Sequence, residues 1–358
     1  MRYIGNKENI LDNIFTILTE EGVTGTSFFD FFAGTSNVGK YFKKKGFQIY
    51  SCDILYLSYC LQKAYIENNE IPSFDKIIDK YDLKSSIGAL FESNLDKVLK
   101  YLDALLPVEG FIYKNFTPGG TADLARPRMY FIDDNGKKID AIRQQIEEWR
   151  AADLLSENEY YILLSCLIES ISFHSNVAGV YAAFQKKWDP RALKPLVLRP
   201  IEILKSELSH KVFNRDSILL APEIDVDILY LDPPYNERQY LPNYHLVETI
   251  AKYDNPEVRG VTGMREYKSE KSSFCNPKTA IRDLEKIASQ ANYKYLVLSY
   301  NSEGIMPQTQ IIETLSKFGS VTLRQFQYAR FKSNNNGLSK TKKHVFEQLY
   351  ILKHETVE

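Results

Sequence analysis

Short apolar runs that end in polar or glycine residues alternate with amphipathic stretches at both ends of the chain, the signature of strand–helix alternation. The first run, TSFFDFFA (residues 26–33), is closed by Gly34 and predicts a strand. A helix is expected over 36–45, stopped by Gly46, then a second strand, FQIYSCD (47–53), and a second helix over 55–68. The pattern resumes near Lys211 with KVFNRDSILL, DVDILYLDPPY and YKYLVLSYNS, each a strand running into polar residues. Residues 320–331 and 346–354 alternate well enough to predict an antiparallel hairpin around the polar tip SNNNGLSKTKK. The middle of the chain fits neither pattern. It predicts helices over 75–106, 140–152 and 157–175, a loop at Thr117-Pro118-Gly119-Gly120-Thr121, and a small hairpin in RMYFIDDNGKKID turning at Asp134-Asn135-Gly136. The expected architecture is therefore an α/β doubly wound, Rossmann-like sheet with an antiparallel C-terminal hairpin. Residues 1–72 and 206–358 would form one domain, and 73–205 a mainly helical insertion.

Composition narrows the partners less than it first suggests. The chain has 358 residues, 44% hydrophobic and 25% charged, which rules out wholesale disorder. At roughly 150 residues per domain the length suggests about two domains. No stretch reaches the roughly 18 apolar residues of a membrane span, and MRYIGNKENILDNI lacks the apolar centre of a signal peptide. Cysteines at 52, 60, 166 and 275 form no C-x-x-C pair, and five histidines form no metal-like spacing. Reduced thiols and no metal are expected. The 24 Tyr and 20 Phe serve either packing or base stacking. A net charge of −1 argues against a nucleic-acid partner only if the charges are evenly spread.

They are not. From residue 314 to 346 there is no acid, while Lys317, Arg324, Arg330, Lys332, Lys340, Lys342 and Lys343 supply seven positive charges among Phe326, Tyr328 and Phe331. Cations for phosphates interleaved with aromatics for bases are a nucleic-acid footprint; a solvated face is the plainer alternative. Residues 185–211 carry seven Lys/Arg against three acids, with Lys186, Lys187 and Arg191 as candidates.

The most specific word in the chain is Asp232-Pro233-Pro234-Tyr235, directly after an apolar strand. Prolines at a strand end terminate pairing whatever the function. Yet ligands in open α/β sheets bind beyond such strand ends, and an acid, two prolines and an aromatic make a rigid, acceptor-rich cup. A planar amino group on a base needs that: its lone pair is delocalised, and acceptors at Asp232 and the Pro233 carbonyl would favour a pyramidal, nucleophilic nitrogen while Tyr235 stacks on the ring. A second constellation, Asp30-Phe31-Phe32-Ala33-Gly34-Thr35-Ser36-Asn37, is a tight turn leading into a helix. Gly34 admits close approach of a ligand to backbone. Ser36 stands where the dinucleotide fingerprint needs a second glycine, which disfavours a nicotinamide dehydrogenase. Asp53, at the end of the second strand, is placed for ribose hydroxyls. In Arg2-Tyr3-Ile4-Gly5-Asn6-Lys7, Tyr3 and Lys7 flank a plausible carboxylate-binding spot ahead of a helix over 8–18.

The order RYIGNK, DFFAGTS, NRDSILL, DPPYNERQY resembles the alpha group of DNA adenine-N6 methyltransferases, to which the Dam enzymes belong. DPPYNERQY with YHLVETI downstream is especially similar to FokI-type modification methylases, and EGFIYKNF and FHSNVAGVYAAFQKKWDPR extend the similarity through the insertion. The resemblance implies a site-specific DNA adenine-N6 methyltransferase of a restriction–modification system, with S-adenosylmethionine as cofactor. Its partners would be double-stranded DNA with a flipped target base and a cognate restriction endonuclease, in a bacterial or phage-encoded cytoplasmic setting. It puts Tyr3, Lys7, Asp53 and Asp232 at cofactor positions, Asp30, Phe32 and Gly34 on the methionine and ribose side, and Asp216 near the cofactor adenine. Asp232 to Tyr235 would be catalytic, and 73–205 would correspond to the target-recognition region. Cytosine-N4 or RNA-base methylation uses closely related motifs, and a non-catalytic DNA-binding protein of the same fold is the alternative from another class. No cysteine follows a proline, so the nucleophile of cytosine-C5 enzymes is absent. The loop at Gly119-Gly120 and the C-terminal hairpin are the two candidates to fill the gap left by a flipped base.

Overall fold

The apolar runs become strands, in chain order β1 (Ser27–Asp30), β2 (Gln48–Cys52), β3 (Lys211–Phe213), β4 (Asp225–Leu231), β5 (Val258–Arg259), β6 (Met264–Arg265), β7 (Asn292–Asn301), β8 (Gly319–Ala329) and β9 (His344–His354). The computed structural model describes residues 3–84, 92–329 and 344–354. Seven strands make one sheet in the order β3-β2-β1-β4-β7-β9-β8, with β5 and β6 a separate two-stranded ribbon. The pairs β1–β2, β1–β4, β2–β3 and β4–β7 are parallel; β7–β9 and β8–β9 are antiparallel. Strand order reverses between β1 and β4, so the loops leaving their C-terminal ends diverge and open a crevice there. That crevice places Gly34 and Asp232 opposite one another in sequence terms, each just beyond a neighbouring strand.

Two compact units divide the chain. One comprises 3–62, 206–241 and 268–358, and holds the large sheet; the other comprises 1–2, 63–205 and 242–267. In the sheet unit β1 and β4 are buried almost throughout because they are central and covered on both faces, which explains their unbroken apolar runs. The helix Ala280–Gln290 supplies Ala280, Leu284, Ile287 and Ala288 to the core at helical spacing, joined by Leu229, Leu231, Leu296 and Leu298 from the strands. Each such fully buried Leu or Ile contributes about 1.5–3 kcal/mol.

The helical unit departs from expectation in several places. The segment 242–267, expected with the sheet, belongs here. The helix Leu241–Lys252 is tied into this unit through backbone carbonyls: fully buried Arg143 donates to Ile250 O at 2.9 Å, and the Asn243 carbonyl accepts from Tyr181 N at 2.7 Å. The Asp134-Asn135-Gly136 turn does not exist; it lies in the first turns of the helix Asp133–Ala151. Asp133 and Asp134 there meet the positive end of the helix dipole. Asn135 is spent on tertiary bonds, donating to Lys194 O (3.0 Å) and accepting from Leu196 N (2.8 Å). Gly136 is required by packing, since a Cβ would lie 2.3 Å from Thr117 Cγ2. The stretch expected as helical over 75–106 is broken into two helices, Asp75–Lys80 and Asn94–Asp103, while that over 157–175 is present as Glu157–His174; the Ser93–Asp96 and Ser156–Glu159 capping boxes start the last two.

Candidate active site

The cleft at the sheet's C-terminal edge is built from the turn after β1, the end of β2, the N-terminal segment and the start of the loop after β4. Tyr3, Lys7, Phe32, Gly34, Asp53, Asp216, Asp232 and Pro234 all line it. The turn after β1 is tight because two of its residues are left-handed, Gly34 at φ 50° and Ser36 at φ 63°. Glycine accepts that conformation freely; Ser36 holds it at a cost, where a second glycine would not. Tyr3 covers Gly34 so closely that a Cβ would lie 2.8 Å from its ring. Asp53 fixes the other side of the turn, accepting from Gly34 N through Oδ2 and from Leu55 N through Oδ1, both at 2.9 Å. Asp216 caps the short helix Ser217–Leu220, with Oδ1 taking Ile218 N at 2.8 Å. Phe32 is half-buried edge-on against Phe274, ring centroids 5.3 Å apart.

Asp232 meets Lys7, whose Nζ is 3.2 Å from its Oδ1. The same ammonium lies 2.6 Å from Glu347 Oε1 on β9, and Ser299 Oγ on β7 donates to that oxygen as well. Burial alone would lower the Lys7 ammonium, but the carboxylates of Asp232 and Glu347 outweigh it and hold it well above its ordinary value. Burial pushes the Asp232 carboxyl up to about 7; Lys7 pulls against that and Glu347 adds to it. Asp30 does not line the cleft. It is fully buried behind it, raised to about 8 by burial first and then by the charges of Asp232 and Asp53. One buried cation thus serves a set of crowded carboxylates, and the cleft has a deficit of positive charge.

Pro233 and Tyr235 of the Asp-Pro-Pro-Tyr word are not among the residues lining the cleft. Tyr235 is partly buried against the sheet's core, and its carbonyl accepts from Ile305 N at 3.0 Å. Two residues with a direct part in the geometry are absent from the expected set. Tyr240 lines the cleft with its ring 5.7 Å from that of Tyr3. Glu347 is the other, and its strand carried a signal: Val345, Glu347, Leu349 and Ile351 alternate, so an acid occupies an inward, apolar face.

The candidate DNA cations separate. Lys186 and Lys187 are exposed. Arg191 is gripped by Asp189 at 2.6 and 3.1 Å. Arg324 on β8 is bound by Glu20 and Glu21, acids remote in sequence that neutralise part of the acid-free run. Arg330, Lys332, Lys340, Lys342 and Lys343 lie outside the described residues. Among the described residues no group of three or more His, Cys, Asp or Glu is arranged to hold a metal ion, and no helix is long and apolar enough to cross a membrane.

A sheet whose order reverses beside an acid-lined cleft defines an α/β protein with its ligand site at the topological switch. More narrowly, the model of the D12 class N6 adenine-specific DNA methyltransferases matches residues 3–314, and the chain belongs to that family. It is 38% identical over 340 residues to the Type II methyltransferase M.FokI of Planomicrobium okeanokoites, covering 94% of this chain and 50% of that protein. To the modification methylase StsI of Streptococcus sanguinis it is 36% identical over 360 residues, 98% of this chain and 52% of that one. To the Type II methyltransferase M.NlaIII of Neisseria lactamica it is 38% identical over 356 residues, 98% of this chain and 99% of that one. The chain therefore spans about half the length of M.FokI and StsI and nearly all of M.NlaIII.

Proposed function

We propose that this chain is a site-specific DNA adenine-N6 methyltransferase that uses S-adenosylmethionine and serves as the modification enzyme of a restriction–modification system. The observation that carries the reading is the convergence of Asp232 and Pro234 with the Gly34 turn and Asp53 in a single cleft. The residues present fit the cofactor. Gly34 lines the cleft with no side chain in the way, Asp53 brings a carboxylate to the same turn for ribose hydroxyls, Asp216 lines the cleft as an acceptor for a purine amino group, and the positive-charge deficit suits a sulfonium. Tyr3 and Lys7 would hold the amino-acid end. When bound, S-adenosylmethionine supplies an electrophilic methyl group.

The chain's own part is to make an amino nitrogen nucleophilic. The Asp232 carboxylate and the Pro233 carbonyl each accept one N–H of the target, returning the lone pair from the ring to the nitrogen. Tyr235, packed against the core with its carbonyl accepting from Ile305 N, anchors the motif rather than lining the cleft. No covalent enzyme intermediate is needed, and the four cysteines are all buried thiols. A stacked adenine cannot reach Asp232, so the base is flipped from the duplex at a cost of a few kcal/mol. In this reading the helical unit carries target recognition, with exposed Lys186 and Lys187 as phosphate contacts and the basic segment 330–343 as a second.

The test is transfer of a labelled methyl group to duplex DNA, followed by digestion to nucleosides. N6-methyl-2′-deoxyadenosine is the expected product; N4-methyl-2′-deoxycytidine, or label in RNA alone, would replace the reading, and binding without transfer would make the chain a non-catalytic DNA-binding protein. A second expectation concerns the turn. Gly34→Val combines a left-handed backbone with a clash against Tyr3, and is expected to cost about 1–3 kcal/mol of stability and to weaken cofactor binding sharply. Thermal melts and calorimetric titration with S-adenosylmethionine check it, and unchanged affinity would remove the turn from the cofactor site.

A further inference from the structure

Glu347 is fully buried on β9, opposite Asn301 of β7 in register. Its two oxygens are used unequally. Oε1 takes both the Lys7 ammonium and the Ser299 hydroxyl, while Oε2 has no hydrogen-bond partner among the described residues. Lys7 is nearer to this carboxylate (2.6 Å) than to Asp232 (3.2 Å), although Asp232 is the acid that faces the cleft. A lysine paired with Asp232 alone would occupy the lone pairs that an incoming amino group needs. A second, inner carboxylate changes that competition.

We propose that Glu347 is a positioning residue that draws the Lys7 ammonium inward, holding it to the longer, 3.2 Å contact with Asp232 Oδ1, and so leaves the Asp232 carboxylate able to accept the target amino group. The inference deepens the methyltransferase reading and rests on it. The groups facing Asp232 are Lys7 from the N-terminal segment, Glu347 from β9, Tyr230 from β4, and Asp30, coupled to it by charge, at the end of β1. Glu347 pushes the Asp232 carboxyl up and Lys7 pulls it down. Neutralising Glu347 therefore removes a repulsion and also hands the whole lysine to Asp232. Both changes move Asp232 to lower values and occupy it as an acceptor.

The experiment uses the full chain and the isosteric variant Glu347→Gln. Two measurements are made: the pH profiles of kcat and of KM for DNA in steady-state methyl transfer, and the titration of the Asp232 carboxyl by carbon NMR in the cofactor-free protein, assigned by difference from Asp232→Asn. The variant is expected to lose about tenfold in kcat with KM for DNA unchanged. Its acid limb and the Asp232 titration should both move about one unit lower. Glu347→Asp, which keeps the charge one methylene further back, should fall between the two. A folded Glu347→Gln protein with an unmoved Asp232 titration overturns the proposal, and so does a kcat loss without movement of the acid limb, the mark of a merely structural role. If Glu347→Gln fails to fold, the Glu347→Asp titration decides on the same terms. Absence of transfer by the unaltered chain would count against the methyltransferase reading itself, while the NMR titration would still judge the network.

Discussion

Asp232→Ala is expected to lower methyl transfer by at least about 10³-fold, at the upper end of what one preorganised polar group supplies, while the protein stays folded and becomes no less stable at pH 8. The first half follows from the chemistry: without the carboxylate the amino lone pair stays delocalised into the ring. The second half follows from the surroundings. Lys7 loses its more distant partner and keeps the nearer one, Glu347. A carboxyl raised from 3.8 to about 7 is ionised in the fold at a net cost above that pH, so its removal lifts a burden. Asp30 is relieved as well, because Asp232 is one cause of its elevation to about 8. Methyl transfer and thermal melts on one preparation test both halves. An active Asp232→Ala protein would exclude Asp232 as the acceptor. An inactive but strongly destabilised one would show that the acid holds the cleft together.

Legibility of this site in the sequence depended on how far apart its parts lie. Elements fixed by local pattern were readable: β1 and β4 as unbroken apolar runs, the turn at Gly34 from one glycine between strand and helix, and Asp232 from its place after an apolar strand. Groups whose role depends on distant partners were not. Glu347 lies 340 residues from Lys7, and nothing local reveals the pair beyond an acid on an apolar strand face. The acid-free stretch before it concealed a similar fact, since Arg324 finds Glu20 and Glu21 from more than 300 residues away. Asn135-Gly136 misleads for the complementary reason. A turn is the commonest local use of that pair, but here both residues serve tertiary contacts inside a helix. The division into units shows the same effect, because the segment 242–267 joins the helical unit through carbonyls that no sequence pattern marks.

Lys7→Met should have the largest effect on stability, about 3–5 kcal/mol, the scale for removing one partner from a buried ion pair. Lys7 is 6% exposed and Glu347 wholly buried, so water cannot replace the lost charge. The sign of the pH dependence follows from the shifts. The Lys7 ammonium is held well above its usual value, so its contribution is fully present below about 10.5 and covers the whole working range of the protein. In the variant the buried Glu347 and the partly buried Asp232 carboxylates face each other without a cation. The deficit should therefore be largest above neutrality and shrink as acid protonates them. Denaturant unfolding at pH 6 and pH 8.5 measures this, and a deficit independent of pH would mean that Lys7 acts by packing alone. Catalysis should respond in the opposite direction. Without Lys7 the Asp232 carboxyl loses the one group that lowers it and climbs above about 7, so at neutral pH it carries a proton and is a much poorer acceptor for the amino group. Residual methyl transfer by Lys7→Met should then rise with pH while stability falls. Adding Glu347→Gln should recover a large part of the lost stability and bring Asp232 back down, because it removes the repulsion that the lysine had offset.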